Sequence, residues 1–285
     1  MPSLDSEHHE AAEKLPAPRC GSYARGADSY AAEVRLLHEL MGQQREYNAT
    51  HPDVAMGLGY LECHMSALPI RRELANVDLI LPFIRGRVLE WGCAYGRDSC
   101  IFRTRLGDAV ELHGTDVHPP DSFKPFHDFS GIRYQQVQHP YLLDYPDASF
   151  DTVTSTGVLE HVPDDLNSVR EVCRVLKPGG YFVVTFLPNL YSYTEAVQRW
   201  RKTVAHDRLY TMRQAQRMLT DNGFELIDSW YYLLVPTMLN GFPARLKAAW
   251  DQNTDLIWRL NTVIERLWPV NRIASNLSLI ARKPG

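Results

Sequence analysis

The chain has no run of apolar residues long enough to cross a bilayer, and no apolar core near its start of the kind that directs secretion. Neither sign of charge dominates: 30 Lys and Arg stand against 34 Asp and Glu, a formal net charge of −4. A broad nucleic-acid surface needs a basic excess, so no nucleic-acid partner is expected. Cysteine is sparse. The five residues are Cys20, Cys63, Cys93, Cys100 and Cys173, and no two form a Cys-x-x-Cys. An odd number without that spacing argues against a disulfide framework and against a structural zinc site. Cys63-His64 is a lone adjacent pair. Neighbours in sequence rarely ligate one metal together, so the pair reads as structural. These absences point to the reducing cytoplasm.

What is present is ordinary for a globular protein: 285 residues, 45% hydrophobic and 22% charged. That length suits one large domain, or one domain with a cap. Residues 1–28 are rich in Ala, Pro, Gly and charge and are expected to be disordered. The single domain then spans 29–285, with N-terminal helices over 29–84, a core over 85–235, a helical insert over 236–274 and a last strand over 275–282. Val34, Leu37, Leu40 and Met41 recur at helical spacing, with Gly42 a weak point. A second helix starts near Pro69, carries Leu74, Val77 and Leu81, and stops at Pro82. These helices suit either a lid over the site or packing on the sheet edge.

The stretch that organises the chain is Arg87-Val-Leu-Glu-Trp-Gly-Cys-Ala-Tyr-Gly-Arg97. Val88 and Leu89 fit a short buried strand that Glu90 ends. Gly92, Ala94 and Gly96 make a turn of small residues before a helix. Such a turn lets a ligand lie against backbone N–H groups and a helix N-terminus. Dinucleotide enzymes use a similar turn, so it is a weak signal alone. Glu90 shifts the balance, because a carboxylate there repels a pyrophosphate and suits a cation. Val110 to Asp116 reads as the second strand. Asp116 lies 26 residues past Glu90, the spacing of one strand–helix–strand unit. A carboxylate at that strand end can accept both hydroxyls of a ribose; as a residue it could equally be a cap.

Further strands are expected over 132–137, 151–156, 181–186, 225–235 and 275–282. A helix between the strands at 151 and 181 places Leu166, Val169, Val172 and Leu176 inward, and Lys177-Pro-Gly-Gly180 ends it. Residues 194–204 are expected to be helical. Thr211 should cap a helix that buries Ala215, Met218 and Leu219.

Taken in order, Glu90–Gly96, Asp116, Pro146-Asp-Ala-Ser-Phe-Asp151, Val158-Leu-Glu-His-Val162 and Leu176-Lys-Pro-Gly-Gly180 resemble the motifs of class I S-adenosylmethionine-dependent methyltransferases. The Leu-Glu-His-Val stretch is similar to the methyltransferases of quinone biosynthesis. The resemblance covers about residues 87–186 and runs more loosely to 282. It implies an α/β fold: a Rossmann-like, doubly wound, seven-stranded sheet, mostly parallel with strand seven antiparallel. The cofactor implied is S-adenosyl-L-methionine. Glu90 would face its ammonium, directly or through water. Gly92, Ala94 and Gly96 would let it approach, Asp116 would hold the ribose, and Thr156 lies at the same sheet edge. Where this family places an Asp for the adenine amino group the chain has His139, and the next residue, Pro140, has no N–H to offer. Adenine recognition is therefore assigned to Gln138 or His139.

Methyl transfer from a sulfonium is an in-line displacement in which positioning does much of the work, but an oxygen or nitrogen acceptor must also lose a proton. His161 is the first candidate base, with packing or helix capping as its plainer role. His206, next to Asp207, is the second. Some quinone O-methyltransferases bind a divalent cation through a Glu three residues before the Glu of the Glu-His pair. That position is Gly157 here, so no metal is expected. The expected acceptor is a small or lipid-like molecule, methylated at oxygen. Aromatic groups at 188–193 suit its pocket. The insert interleaves Leu239, Phe242, Leu246, Trp250, Ile257, Trp258 and Trp268 with Arg245, Lys247, Arg259, Arg266 and Arg272. Such a stripe suits a peripheral membrane contact or a greasy substrate; packing on its own sheet or in a homodimer is the commoner use. The rival is a non-catalytic binding or scaffold protein on the same fold. A nicotinamide oxidoreductase fits less well, because the spacing is not Gly-x-Gly-x-x-Gly.

Overall fold

Short runs of apolar and β-branched residues build the centre of the molecule. The computed structural model describes residues 30–55, 58–202, 206, 208–237, 239 and 242–285. The segment expected to be disordered, 1–28, lies outside the described residues. The strands are β1 (Gly86–Trp91), β2 (Val110–Asp116), β3 (Arg133–Gln136), β4 (Phe150–Thr156), β5 (Leu176–Pro188), β6 (Glu225–Tyr232) and β7 (Asn276–Arg282). They form one seven-stranded sheet in the order β3-β2-β1-β4-β5-β7-β6. β1 to β5 pair in parallel, and β7 runs antiparallel between β5 and β6. The expected fold class is the observed one. Strand order reverses between β1 and β4, and open α/β sheets bind ligands at the carboxyl ends of strands at such a point.

Side chains alternate between two apolar layers, as a two-faced sheet requires. Val88, Tyr181, Val183 and Ile280 face one layer. That layer includes residues of α1 (Ala31–Thr50), α2 (Gly59–Cys63), α3 (Ala67–Ile80), α4 (Arg97–Leu106) and α5 (Lys124–Ser130). Leu89, Phe182, Val184 and Leu279 face the other, with α6 (Asp165–Val175) and α8 (Met212–Thr220). α7 (Tyr193–Trp200) follows β5, and α9 (Ala244–Gln252) and α10 (Thr254–Ile264) form the insert.

Several boundaries differ from expectation, each for a local reason. α1 runs through Gly42, because Leu37, Leu40, Met41 and Gln44 bury one continuous stripe. Leu166 does not point inward. It is 46% exposed, since the buried stripe of α6 is Ser168, Val169, Glu171, Val172 and Val175. Leu176 is buried but already belongs to β5. β6 stops at Tyr232 rather than Val235. Leu233 has φ +72°, and the next N–H groups leave the ladder: Leu234 and Val235 donate to Asn261 Oδ1 at 2.8 and 3.1 Å. The insert thus fastens to the sheet through α10, whose Ile257, Trp258 and Asn261 are buried. The helix expected over 194–204 ends at Trp200. The Thr211 cap is present as a full capping box with Gln214, and Ala215, Met218 and Leu219 are buried.

Candidate functional site

The small-residue turn after β1 is held by its own hydrogen bonds. Gly92 and Cys93 donate to Thr115 O at 2.7 and 3.0 Å, Ala94 donates to Asp116 Oδ2 at 2.8 Å, and Gly96 donates to Cys93 O at 2.6 Å. These N–H groups are therefore committed within the protein, contrary to the expectation that they face a ligand. Gly92 also has an internal reason to be glycine. A Cβ there would lie 2.4 Å from Val158 Cγ2. Ala94 and Gly96 both take positive φ, 41° and 69°.

What the turn brings together is carboxylates. Glu90 is buried, and its Oε2 accepts from the Ser99 N–H at 3.0 Å and from the Ser99 hydroxyl. Asp98, in the first turn of α4, accepts from the Thr156 hydroxyl at 3.0 Å; Thr156 also lies 3.1 Å from the Thr185 hydroxyl. Burial pushes the Glu90 carboxyl well above the usual carboxylate range, and the charge of Asp98 adds to it. Burial likewise raises Asp98, against the lowering effects of Thr156, Arg97 and Arg72. Asp116 closes the group from the end of β2. Its Oδ1 accepts from Val117 N at 2.7 Å, from His118 N at 3.3 Å and from His118 Nδ1. Nearby, Arg97 pairs with Glu73 of α3, which ties the N-terminal helices to this edge.

Across the switch point lies a second cluster. β4 ends at Thr156, Gly157 turns the chain with φ +66°, and Glu160 and His161 follow. Burial pushes the Glu160 carboxyl up to about 7. His206 reaches the same place from the segment after α7. Its Nδ1 lies 2.7 Å from Glu195 Oε1, and its ring centroid lies 5.7 Å from that of His161. Burial alone would lift the Glu195 carboxyl, but the hydrogen bond and charge of His206 outweigh it and hold it below its ordinary value.

The fold thus gathers Glu90, Gly92, Ala94, Gly96, Asp116 and Thr156 at one edge of the sheet, and joins His161 to His206 beside it. Gln138 and His139 follow β3. Gln138 is exposed, while His139 Nδ1 accepts from Tyr141 N and Leu142 N at 3.3 and 3.1 Å. His139 therefore shapes its own turn. The partner of His206 is Glu195; Asp207 lies outside the described residues. Sequence reasoning missed Asp98, which stands two residues past the turn and reads as an ordinary helix-start acid. It also missed Glu195, for which no local pattern exists.

Comparison with known proteins bears on this site. A family model described as methyltransferase domain matches residues 59–229. A ubiquinone biosynthesis O-methyltransferase of Paracidovorax citrulli is 31% identical over 45% of this chain and 55% of its own length. A 2-methyl-6-phytyl-1,4-hydroquinone methyltransferase of Synechocystis is 27% identical over 64% of this chain and 53% of its own. The chain therefore spans about half the length of these curated relatives. Among solved structures, a SAM-dependent methyltransferase of Thermotoga maritima aligns with a TM-score of 0.53 at 17% identity, covering 84% of this chain and 97% of that one. At that identity the likeness concerns the fold.

Proposed function

The chain belongs to the methyltransferase-domain family, and on that premise we propose that it transfers a methyl group from S-adenosyl-L-methionine to a small, lipid-like acceptor, at oxygen. The observation that carries this is the pair of buried carboxylates, Glu90 and Asp98, beside the β1 turn. Two buried acids side by side repel each other, and a cationic ligand relieves that repulsion where a pyrophosphate would worsen it. S-adenosyl-L-methionine fits on this ground: it carries an ammonium and a sulfonium, and supplies an activated methyl group when bound. Glu90 and Asp98 hold its cationic end, and Thr156 keeps Asp98 in place. Gly92, Ala94 and Gly96 shape the turn that aims these groups. Asp116 serves the ribose hydroxyls by sharing oxygens it already lends to Ala94 and His118. Gln138 and His139 serve the adenine.

On the acceptor side, His206 takes the proton that an acceptor hydroxyl sheds, with His161 beside it. Glu195 fixes the His206 ring and stabilises its charged form, the arrangement a general base needs. The two curated relatives are named for ubiquinone biosynthesis and for a phytyl hydroquinone, and an apolar acceptor agrees with the outer face of the insert. There Leu256, Leu260, Val263, Leu267 and Trp268 are exposed among Arg259 and Arg266. That face rests on a membrane surface in the cytoplasm, and a homodimer is the competing use for it. Among the described residues no helix is long and apolar enough to cross a membrane.

The test is titration calorimetry with S-adenosylhomocysteine on the unaltered protein, Asp116→Ala and His139→Ala. Expected is clear binding that Asp116→Ala weakens by about 100-fold, the loss of two or more charge-assisted hydrogen bonds. No binding by the unaltered protein overturns the proposal in favour of a non-catalytic role.

A further inference from the structure

We infer that Glu160, His161 and His206 form a binding site for a divalent transition-metal ion, best matched by zinc, and that Glu195 is the positioning residue that turns His206 toward it. One ligand atom from each of the three residues can be chosen so that all lie within 4.8 Å of one another. Glu160 Oε1 and His161 Nε2 are 3.8 Å apart. Ligands about 2.1 Å from a tetrahedral zinc lie roughly 3.4 Å from each other, so a modest rotation of the side chains closes the site. The His161 side chain is 65% exposed.

Two independent features point to a ligand here. The Glu160 side chain is only 2% exposed, and its Oε2 has no hydrogen-bond partner among the described residues. A buried carboxylate with an unbonded oxygen is costly, and a cation held by that carboxylate offsets the cost. The second feature is the Glu195–His206 pair. Glu195 engages Nδ1, which leaves Nε2 as the ring nitrogen to offer a metal, the carboxylate–histidine–metal relation that sets the ring and raises its basicity. The two chain segments are also pinned together. Arg208 donates to the carbonyls of Leu159 and Val162 at 3.2 and 2.8 Å, and the Tyr210 hydroxyl donates to Leu159 O at 3.2 Å.

The expectation of no metal rested on Gly157, the place where a second glutamate would stand within the same turn. The fold supplies the third ligand from a different segment instead. The donor set is also different in kind. Two imidazoles and one carboxylate suit zinc, iron, cobalt or nickel, whereas magnesium and calcium prefer oxygen ligands. Three protein ligands leave a position for water or an acceptor hydroxyl. That last role rests on the proposed methyltransferase activity, and there the metal replaces the bare His206 ring as the group that lowers the hydroxyl's proton affinity. Metal binding itself does not rest on it.

The experiment is titration of the chelator-stripped full chain with Co2+, read by its visible absorption, then displacement by Zn2+. Expected is one Co2+ per chain with an intense low-symmetry band. Glu160→Gln and the exposed-site variant His161→Ala should each lose the band, and Glu195→Gln should weaken binding by about 10- to 100-fold. Absence of a stoichiometric band in the unaltered protein overturns the inference. So does a band that survives in both Glu160→Gln and His161→Ala. S-adenosylhomocysteine calorimetry on the same samples separates the two proposals: Co2+ binding without it leaves the metal site standing and removes the cofactor reading, and the reverse does the opposite.

Discussion

The two sides of the switch point are built differently. On the β1–β2 side the turn spends its N–H groups on Thr115, Asp116 and Cys93, and Glu90, Asp98 and Asp116 are all buried. On the β4–α7 side Glu160 is buried but the histidines are not: the His206 side chain is 38% exposed, and that of His161 more so. The first side is fixed before any ligand arrives, which lowers the ordering cost of binding one unvarying molecule. The second is open, as suits an acceptor that differs between relatives sharing one fold. The contrast also separates where stability is stored from where it is given up. Buried acids near one another cost the ligand-free protein stability, and that cost is recovered when a cation binds.

The largest effect expected from this division is kinetic. His206→Ala should lower the methylation rate by about 10²- to 10⁴-fold, the usual worth of a positioned general base or of the metal it would hold. S-adenosylhomocysteine affinity should stay the same, because His206 lies on the acceptor side. Paired rate and calorimetry measurements check this. A matching loss of affinity would show that the two sides are one site, and the division would be wrong.

A smaller effect sharpens the point about stability. The Asp98 carboxyl is raised in the folded protein by burial. The folded state therefore holds the proton more tightly than the unfolded chain does. Stability from that proton is fully present below the ordinary carboxyl range and is lost as pH rises through the raised value. Asp98→Asn should thus stabilise the ligand-free protein by about 1–2 kcal/mol near pH 8, with the gap closing near pH 4. Thr156 can still donate to the asparagine oxygen. The same variant should bind S-adenosylhomocysteine more weakly. Thermal unfolding across pH, with and without ligand, tests both halves, and a destabilised ligand-free variant at pH 8 would refute the account.

How much of this the sequence carried follows the same division. The β1 turn, Asp116 and the Thr211 cap were legible because each is local: a strand end, a run of small residues, a capping residue followed by a helix. The seven-stranded, mostly parallel sheet with its antiparallel last strand was legible through the family resemblance. Glu195 was not, because its bond to His206 crosses from one end of α7 to beyond the other, and the adjacent Asp207 was the nearer partner in sequence. The committed N–H groups of the turn were not legible either. They depend on Thr115 and Asp116, which reach them only when β2 lies beside β1. The end of β6 was set by Asn261 of the insert, a contact without a local signature.

The insert shows the contrast at its weakest energetic level. α10 buries Ile257, Trp258 and Asn261 on one face and leaves Leu256, Leu260 and Val263 exposed on the other, while α9 has no buried residue. A face that touches only solvent or a membrane contributes little to folding, so Leu260→Glu with Val263→Glu should shift stability by no more than about 0.5 kcal/mol. It should nevertheless abolish flotation with anionic phospholipid vesicles, because two charges enter the apolar band and oppose the attraction of Arg259 and Arg266. Vesicle flotation and sedimentation equilibrium, run on both proteins, separate the uses. Retained flotation would overturn the membrane contact. A dimer in the unaltered protein that the substitutions convert to monomer, with a matching fall in stability, would assign the same face to a second copy of the chain, since only a covered face gives up that much on substitution.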